Sequence, residues 1–322
     1  MIVLYKGSEF YLPDNMKFYT PDSKEFQKIM LETLRWDRLI ISAHQPHFFP
    51  WAKYMAKIYI SDLFISLDDY QFERWTRVEK NKIRDKKNII EIWLKLKNKD
   101  KIEPINEKLV IWHNLDILPR YYNIKYSVLL EKLIKFIDSW QYLSDVNEFI
   151  LRDWFYIEFV KSSDYEKEWK KTYKLVTLLI NILKDMRNIT EYNFENIFRK
   201  TYWMWVENPN IVEIENEVEL LNKKWASFEE RVDFMKRRVV FVNSNFWTFE
   251  YMVKDDAVKY MPPILVYDFE FLPYKQKEYK YFIPWLSSLD YILQDFWNLY
   301  KVLEWFQLYC LSWIRFKWII TI

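Results

Sequence analysis

Two polar clusters hold the side chains best suited to chemistry. His44-Gln45-Pro46-His47 follows the apolar run Leu39-Ile40-Ile41, and Asp68-Asp69-Tyr70-Gln71 follows a second apolar run, Leu63 to Leu67. Two imidazoles facing two carboxylates could bind a divalent cation such as Mg or Mn, orient a phosphate, or run acid–base chemistry. The plain alternative is that the prolines shape a turn and the aspartates cap the next element. Adjacent aspartates point to opposite sides of a continuing strand, so one must leave the strand for both to reach the same ion.

The clusters need a frame that brings them together. Trp51 to Tyr59 reads as a helix, so the order is strand, loop, helix, strand, the signature of a parallel β-α-β unit. A parallel sheet places its working groups just past the carboxyl ends of its strands, where both clusters then lie. Ile90, Ile92, Leu94 and Leu96 alternate with Glu91, Trp93, Lys95 and Lys97, as in a half-buried strand. Beyond Tyr121 the period becomes helical. One helix is expected from about Tyr126 to Trp140, and another carries Trp169, Tyr173, Val176, Ile180 and Leu183 on one face. Strand-like runs return at Val239–Val242 and Ile264–Tyr267, and closing helices are expected from Ser287.

The expected fold is therefore α/β, with a small, mostly parallel sheet, flanking helices and a substantial helical region. Residues 1–38 read as a separate N-terminal extension, with Thr20 as the N-cap of a helix reaching Arg35. Residues 39–120 form the motif-bearing α/β region, 121–235 a mainly helical region, and 236–322 the returning strands and C-terminal helices.

Composition removes whole function classes. The 322 residues include one glycine, Gly7, where average usage gives about 22. A phosphate-binding P-loop, a dinucleotide fingerprint and a nucleophile elbow each need two or more glycines, so none is present. The single cysteine, Cys310, excludes an intrachain disulfide and a multi-cysteine zinc site, which fits a reducing compartment; a cytoplasmic location is expected. A net charge of +2 gives no general footprint for nucleic acid. No stretch reads as a transmembrane segment. The aromatic run Phe306 to Ile322 reads either as an interfacial helix touching a membrane surface or as a terminus packed on its own protein.

The stretch from Ala43 to Trp75 resembles the opening of the WbqC-like family. Its elements are Gln45-Pro46-His47-Phe48-Phe49-Pro50, then Tyr54, then Asp68-Asp69-Tyr70-Gln71-Phe72. Glu79-Lys80-Asn81-Lys82-Ile83 is similar to the family's next segment, with Glu79 where the family has asparagine. Phe282 to Asp290, with Ser287 and Asp290, is similar to its C-terminal block. The resemblance implies an association with surface-polysaccharide synthesis and a transferase that moves an acyl or aminoacyl group onto a sugar or nucleotide-linked sugar.

On that reading His44 or Asp69 is a general base and Asp68 completes the catalytic set. His47, Gln45, Gln71, Asn81 and Ser287 bind substrate, Lys82 meets a phosphate or carboxylate, and Asp290 binds substrate and closes the site. Two other readings stay open. One is a nucleotidylyl- or glycosyl-transferase using His44 and His47 on phosphate, or Asp68 and Asp69 on a metal. The other is a binding or scaffold protein that kept the fold without the activity.

Overall fold

In a computed structural model, the structure describes residues 2–5, 8–11, 16–35, 37–72, 77–84, 88–97, 102–120, 127–165, 178–179, 209–224, 226–243, 259–270, 286–294, 299–312 and 314–321. Of the helix expected around Trp169 to Leu183 only residues 178–179 are among these, and they are helical, while the Phe282–Trp285 part of the C-terminal block lies outside them.

Three sheets are present among the described residues. Strands β1 (Ile2–Tyr5) and β2 (Ser8–Tyr11) form a hairpin. The main sheet uses β3 (Lys17–Tyr19), β4 (Leu39–His44) and β5 (Leu63–Ser66), and later β9 (Val160–Lys161), β10 (Val239–Asn243), β11 (Ile264–Phe269) and β12 (Ile314–Thr321). Strands β6 (Lys80–Arg84), β7 (Ile89–Leu96) and β8 (Val110–His113) form a separate antiparallel sheet.

The main sheet runs β3-β12-β11-β10-β4-β5-β9, so it has seven strands and is larger than the small sheet expected. Its five strands from β11 to β9 are parallel, while β12 and β3 add antiparallel at one edge. The parallel part is doubly wound. From β4 the chain moves outward through β5 to β9, then returns to β10 on the other side of β4 and continues to β11. In such sheets the crevice at the carboxyl ends, where the winding reverses, is where ligands bind. Here that point lies between β4 and β10.

Burial explains the strand sequences. Leu39 to Ala43 and Val239 to Asn243 are buried throughout, because helices cover both faces of a parallel sheet. One face packs Ile40, Phe64, Val240 and Val242 under helix α2 (Ala52–Tyr59). The other packs Ile41, Ile65 and Phe241 with Val218, Val232 and Met235 of the helices Pro209–Lys223 and Phe228–Arg238. Each such aliphatic side chain, fully buried, contributes about 1.5–3 kcal/mol.

Several expectations are revised. Helix α1 (Lys24–Leu34) is capped by Ser23, whose Oγ accepts from the Phe26 amide at 3.3 Å. Thr20 instead accepts from Ser23 in the preceding turn, because Pro21 and Asp22 are spent in that turn. Residues 1–38 are not a detached element. β3 pairs with β12, and Phe26 and Ile29 of α1 enter the core shared with α2. The aromatic C-terminal run is divided between the helix Leu299–Ser312 and β12, which buries Ile319 and Ile320 in the sheet. It is therefore no continuous interfacial helix. Helix α3 (Ser127–Asp138) lies where the sequence places it, and α4 (Leu143–Phe149) follows. The mainly helical region also contains β9, which is too short to leave a period-2 pattern.

Candidate functional site

The carboxyl ends of β4, β5 and β9 carry a row of polar side chains. Register pairs His44 with Ser66, and Ser66 with Lys161, so these three residues stand abreast at the last rung. Partners in register on a parallel sheet share a face. Glu148, from α4, lies over that row. Its Oε1 accepts from Ser66 Oγ at 3.0 Å, and its Oε2 meets Lys161 Nζ at 2.7 Å.

His44 is half-buried at the strand end. Its Nδ1 lies 3.1 Å from the Gln45 carbonyl oxygen. A carbonyl only accepts, so Nδ1 carries the proton and Nε2 keeps its lone pair. Burial, the neighbouring Lys57 ammonium and, opposing them, the Gln45 carbonyl leave the imidazole at about 3, so it is neutral around pH 7. His47 is also held well below its usual range, by burial and then by His44, Arg77 and Lys57. The two imidazoles meet edge-on at 4.8 Å, and His47 stacks on Tyr54 at 4.8 Å. Tyr54 donates from its hydroxyl to the Gln45 carbonyl at 2.9 Å. Both rings are neutral near pH 7, so what they offer a phosphate is a hydrogen bond rather than an ion pair.

Asp68 and Asp69 lie beyond the end of β5, in a turn, so they are free of strand alternation. Ser162 Oγ lies within bonding reach of both carboxylates, at 3.1 Å from Asp68 and in a shorter contact with Asp69. The Ser163 amide and hydroxyl donate to the two oxygens of Asp68 at 3.0 and 2.5 Å. Among the described residues, no group of three or more His, Cys, Asp or Glu side chains is arranged to hold a metal. With both oxygens of the buried Asp68 taken by serine donors, the pair does not fit a Mg or Mn centre.

The Gln45–Trp51 loop is clamped by side chains far away in sequence. Asn81 Nδ2 donates to the carbonyls of Phe48 and Phe49 at 3.2 and 2.6 Å. Asn147 Nδ2 donates to those of Pro46 and Val78 at 2.9 and 2.8 Å. Ser287 bridges Trp51, and the Ser288 amide donates to the Pro50 carbonyl at 2.9 Å. Asp290 accepts from the Arg84 amide at 2.7 Å. Phe49 needs this restraint, since its φ of 46° is left-handed without being glycine.

The expected site residues thus divide. His44, Gln45, Asp68, Asp69 and Gln71 gather at the carboxyl edge, where Gln45 Nε2 donates to the Gln71 carbonyl at 2.9 Å. Asn81, Ser287 and Asp290 are buried in the clamp, bonded to the chain itself, which accounts for them without a substrate. His47 is buried beside the loop, and its Nδ1 has no partner among the described residues. Lys82 is exposed on β6, on the opposite side from buried Asn81.

The model of the WbqC-like protein family matches residues 45–197, just under half of the chain. Over this span the chain is similar to that family. The match begins at Gln45, on the clamped loop, and takes in Asp68, Asp69, Glu148, Lys161 and Ser162, but not the Ser287–Asp290 clamp. Neither the curated proteins nor the solved structures give a match to the chain.

Sequence reasoning missed four members of this site. Lys57 is buried on α2, donates from Nζ to the Ala43 carbonyl at 2.8 Å, and is lowered to about 7 by burial and Lys53. Glu148 is raised to about 7, chiefly by burial and against the pull of Lys161. Lys161 and Ser162 arrive on β9. The available signal was a charged residue within an apolar helical stretch, as in Tyr54-Met55-Ala56-Lys57-Ile58-Tyr59. No helix among the described residues is long and apolar enough to cross a membrane.

Proposed function

We propose that the carboxyl edge of β4, β5 and β9 is a group-transfer site acting on a sugar or nucleotide-linked sugar, with an acyl or aminoacyl group as the moiety transferred. The observation carrying this reading is His44: half-buried at the winding-reversal point, with Nδ1 tied to the Gln45 carbonyl and Nε2 left as acceptor.

In the transfer step, a hydroxyl or amine of the acceptor donates its hydrogen bond to Nε2 and attacks the acyl carbon. A new C–O or C–N bond forms as the bond to the leaving group breaks. The proton passes to Nε2 and on to the leaving group. Because the imidazolium is disfavoured, His44 takes the proton only as the new bond forms, and much of its contribution is orientation of the acceptor. Gln45, Gln71 and Asp69 offer hydrogen-bonding groups at the same edge. Arg77, seated over the Trp51 ring at 4.6 Å, brings positive charge beside the loop for a phosphate or carboxylate of the donor. Glu148 acts through Ser66 as a positioning residue and, at about 7, is matched to proton exchange near neutrality.

The test is a thermal-shift screen of the full chain with UDP-N-acetylglucosamine, UDP-glucose and acetyl-coenzyme A, in parent and His44→Ala protein. Binding at a hundredfold excess over Kd stabilises by about 2.7 kcal/mol. A shift in the parent that His44→Ala abolishes supports the site. No shift with any probe, or equal shifts in both proteins, contradicts it.

A further inference from the structure

The β6–β7–β8 sheet has one face in the core and one in solvent. Asn81, Ile83, Ile92, Leu94 and Leu96 are buried on the inner side. Register brings Lys80 opposite Trp93, Lys82 opposite Glu91, and Lys95 opposite Trp112, so these six share the outer side. Trp112 is 51% exposed. Its ring lies 5.0 Å from that of Trp93, tilted by 55°. An indole this exposed has given up most of the gain from core burial, and two together form a platform.

The platform is held firmly. Asn114 accepts from the Trp93 amide at 2.8 Å, donates from its own amide to the Trp93 carbonyl at 3.3 Å, and donates from Nδ2 to the Glu91 carbonyl at 2.9 Å. The charges around it are unequal. Lys80 pairs with Glu91 at 3.3 Å, leaving Lys82 and Lys95 exposed with no carboxylate bonded among the described residues. The face therefore offers two flat aromatic surfaces and two ammonium groups with no carboxylate bonded among the described residues.

We propose that this face binds an anionic polysaccharide chain, with sugar rings stacked on Trp93 and Trp112 and carboxylate or phosphate groups paired with Lys82 and Lys95. Pyranose rings present C–H faces that pack on indoles, and a charged chain supplies the anions that the lysines lack. A nucleic acid is the less suited polyanion, because a net charge of +2 gives the chain no extended basic track. The choice of a sugar chain rests on the transfer reading above, whereas the platform itself does not. The face would hold a polymeric acceptor apart from the transfer site.

The experiment is affinity gel electrophoresis and calorimetry of the full chain with polygalacturonate, with dextran and poly-dT as comparison polymers. Variants are Trp112→Ala, the charge-reversal pair Lys82→Glu/Lys95→Glu, and His44→Ala. Polygalacturonate should bind the parent, and Trp112→Ala should weaken that binding about tenfold, as loss of one stacking platform does. The charge-reversal pair should remove it, while His44→Ala should leave it unchanged. No binding by the parent, parent-like binding by both platform variants, equal binding of dextran, or tighter binding of poly-dT to the same residues would each overturn the proposal. Polygalacturonate binding that survives His44→Ala, beside a failed nucleotide-sugar screen, separates failure of the transfer site from failure of this face.

Discussion

Glu148 accepts a hydrogen bond from Ser66 at 3.0 Å across 82 residues of sequence, and this contact ties α4 to the last rung of the parallel sheet. The opposite side of the same carboxylate holds Lys161 at 2.7 Å. One acidic side chain thereby joins β5, β9 and α4 behind His44.

Two buried groups in this site titrate in opposite senses, and the signs give a pH profile. Glu148 is raised from 4.5 to about 7, so the folded protein holds a proton that the unfolded chain has lost. Stability is fully present below pH ~4.5 and falls as pH rises to ~7, by about 3 kcal/mol. Lys57 is lowered from 10.5 to about 7, so above that point the unfolded chain binds the extra proton. Stability then climbs between pH ~7 and ~10.5 by about 3–5 kcal/mol. Urea midpoints measured against pH should pass through a minimum near neutrality. Glu148→Gln should remove the acid limb, and Lys57→Met the alkaline limb.

Ser162 has one hydroxyl proton and stands between Asp68 and Asp69, so Ser162→Ala should cost about 1–3 kcal/mol by removing a donor that the two carboxylates share. Ser162→Thr, which keeps a hydroxyl, should recover part of that loss. Thermal unfolding of the two variants beside the parent checks this.

Asn81 and Asn147 hold one loop from two elements of the chain. Replacing either by alanine strands two buried carbonyls, at about 1–3 kcal/mol. Because both act on the Gln45–Trp51 loop, the double variant should depart from additivity by about 0.5–3 kcal/mol. A double-mutant cycle in urea measures the coupling; strict additivity would show that the loop is not a single clamped unit.

Glycine scarcity has a local consequence. Phe49, Trp140 and Tyr156 all have positive φ, at 46°, 64° and 52°. Trp140 is 66% exposed, so Trp140→Gly relieves a left-handed cost of about 1–2 kcal/mol while losing little packing, and should raise the melting temperature. Phe49 is fully buried and meets the Trp154 ring at 5.2 Å, so Phe49→Gly should lower it. The scarcity is then tolerated strain at some positions and packed-in conformation at others.

Much of this was legible in the chain. The apolar runs before His44 and Asp68 read as strands because parallel strands are buried on both faces, and the helix between them fixed their parallel pairing. The alternation from Ile90 to Lys97 marked β7 for the opposite reason, one face wet and one dry. What stayed hidden depends on long-range register. β9 pairs only two residues, and its lysine matters because of Ser66 and Glu148, which are far away in sequence. Asn81 looked like a substrate ligand because an amide's partners cannot be read from its neighbours; here they are the carbonyls of Phe48 and Phe49. Lys82 lies one residue on and points the other way, as strand alternation dictates.

The protonation state of His44 decides whether Nε2 is the free acceptor of the transfer site. The chain has only three histidines, so 15N-histidine labelling gives a spectrum of three imidazoles that His44→Ala and His47→Ala assign. His44 should stay neutral from pH ~8 down to ~5, with an N–H signal at Nδ1 and a pyridine-type Nε2. A His44 ring that titrates near pH ~6.5, or that carries its proton on Nε2, would contradict it.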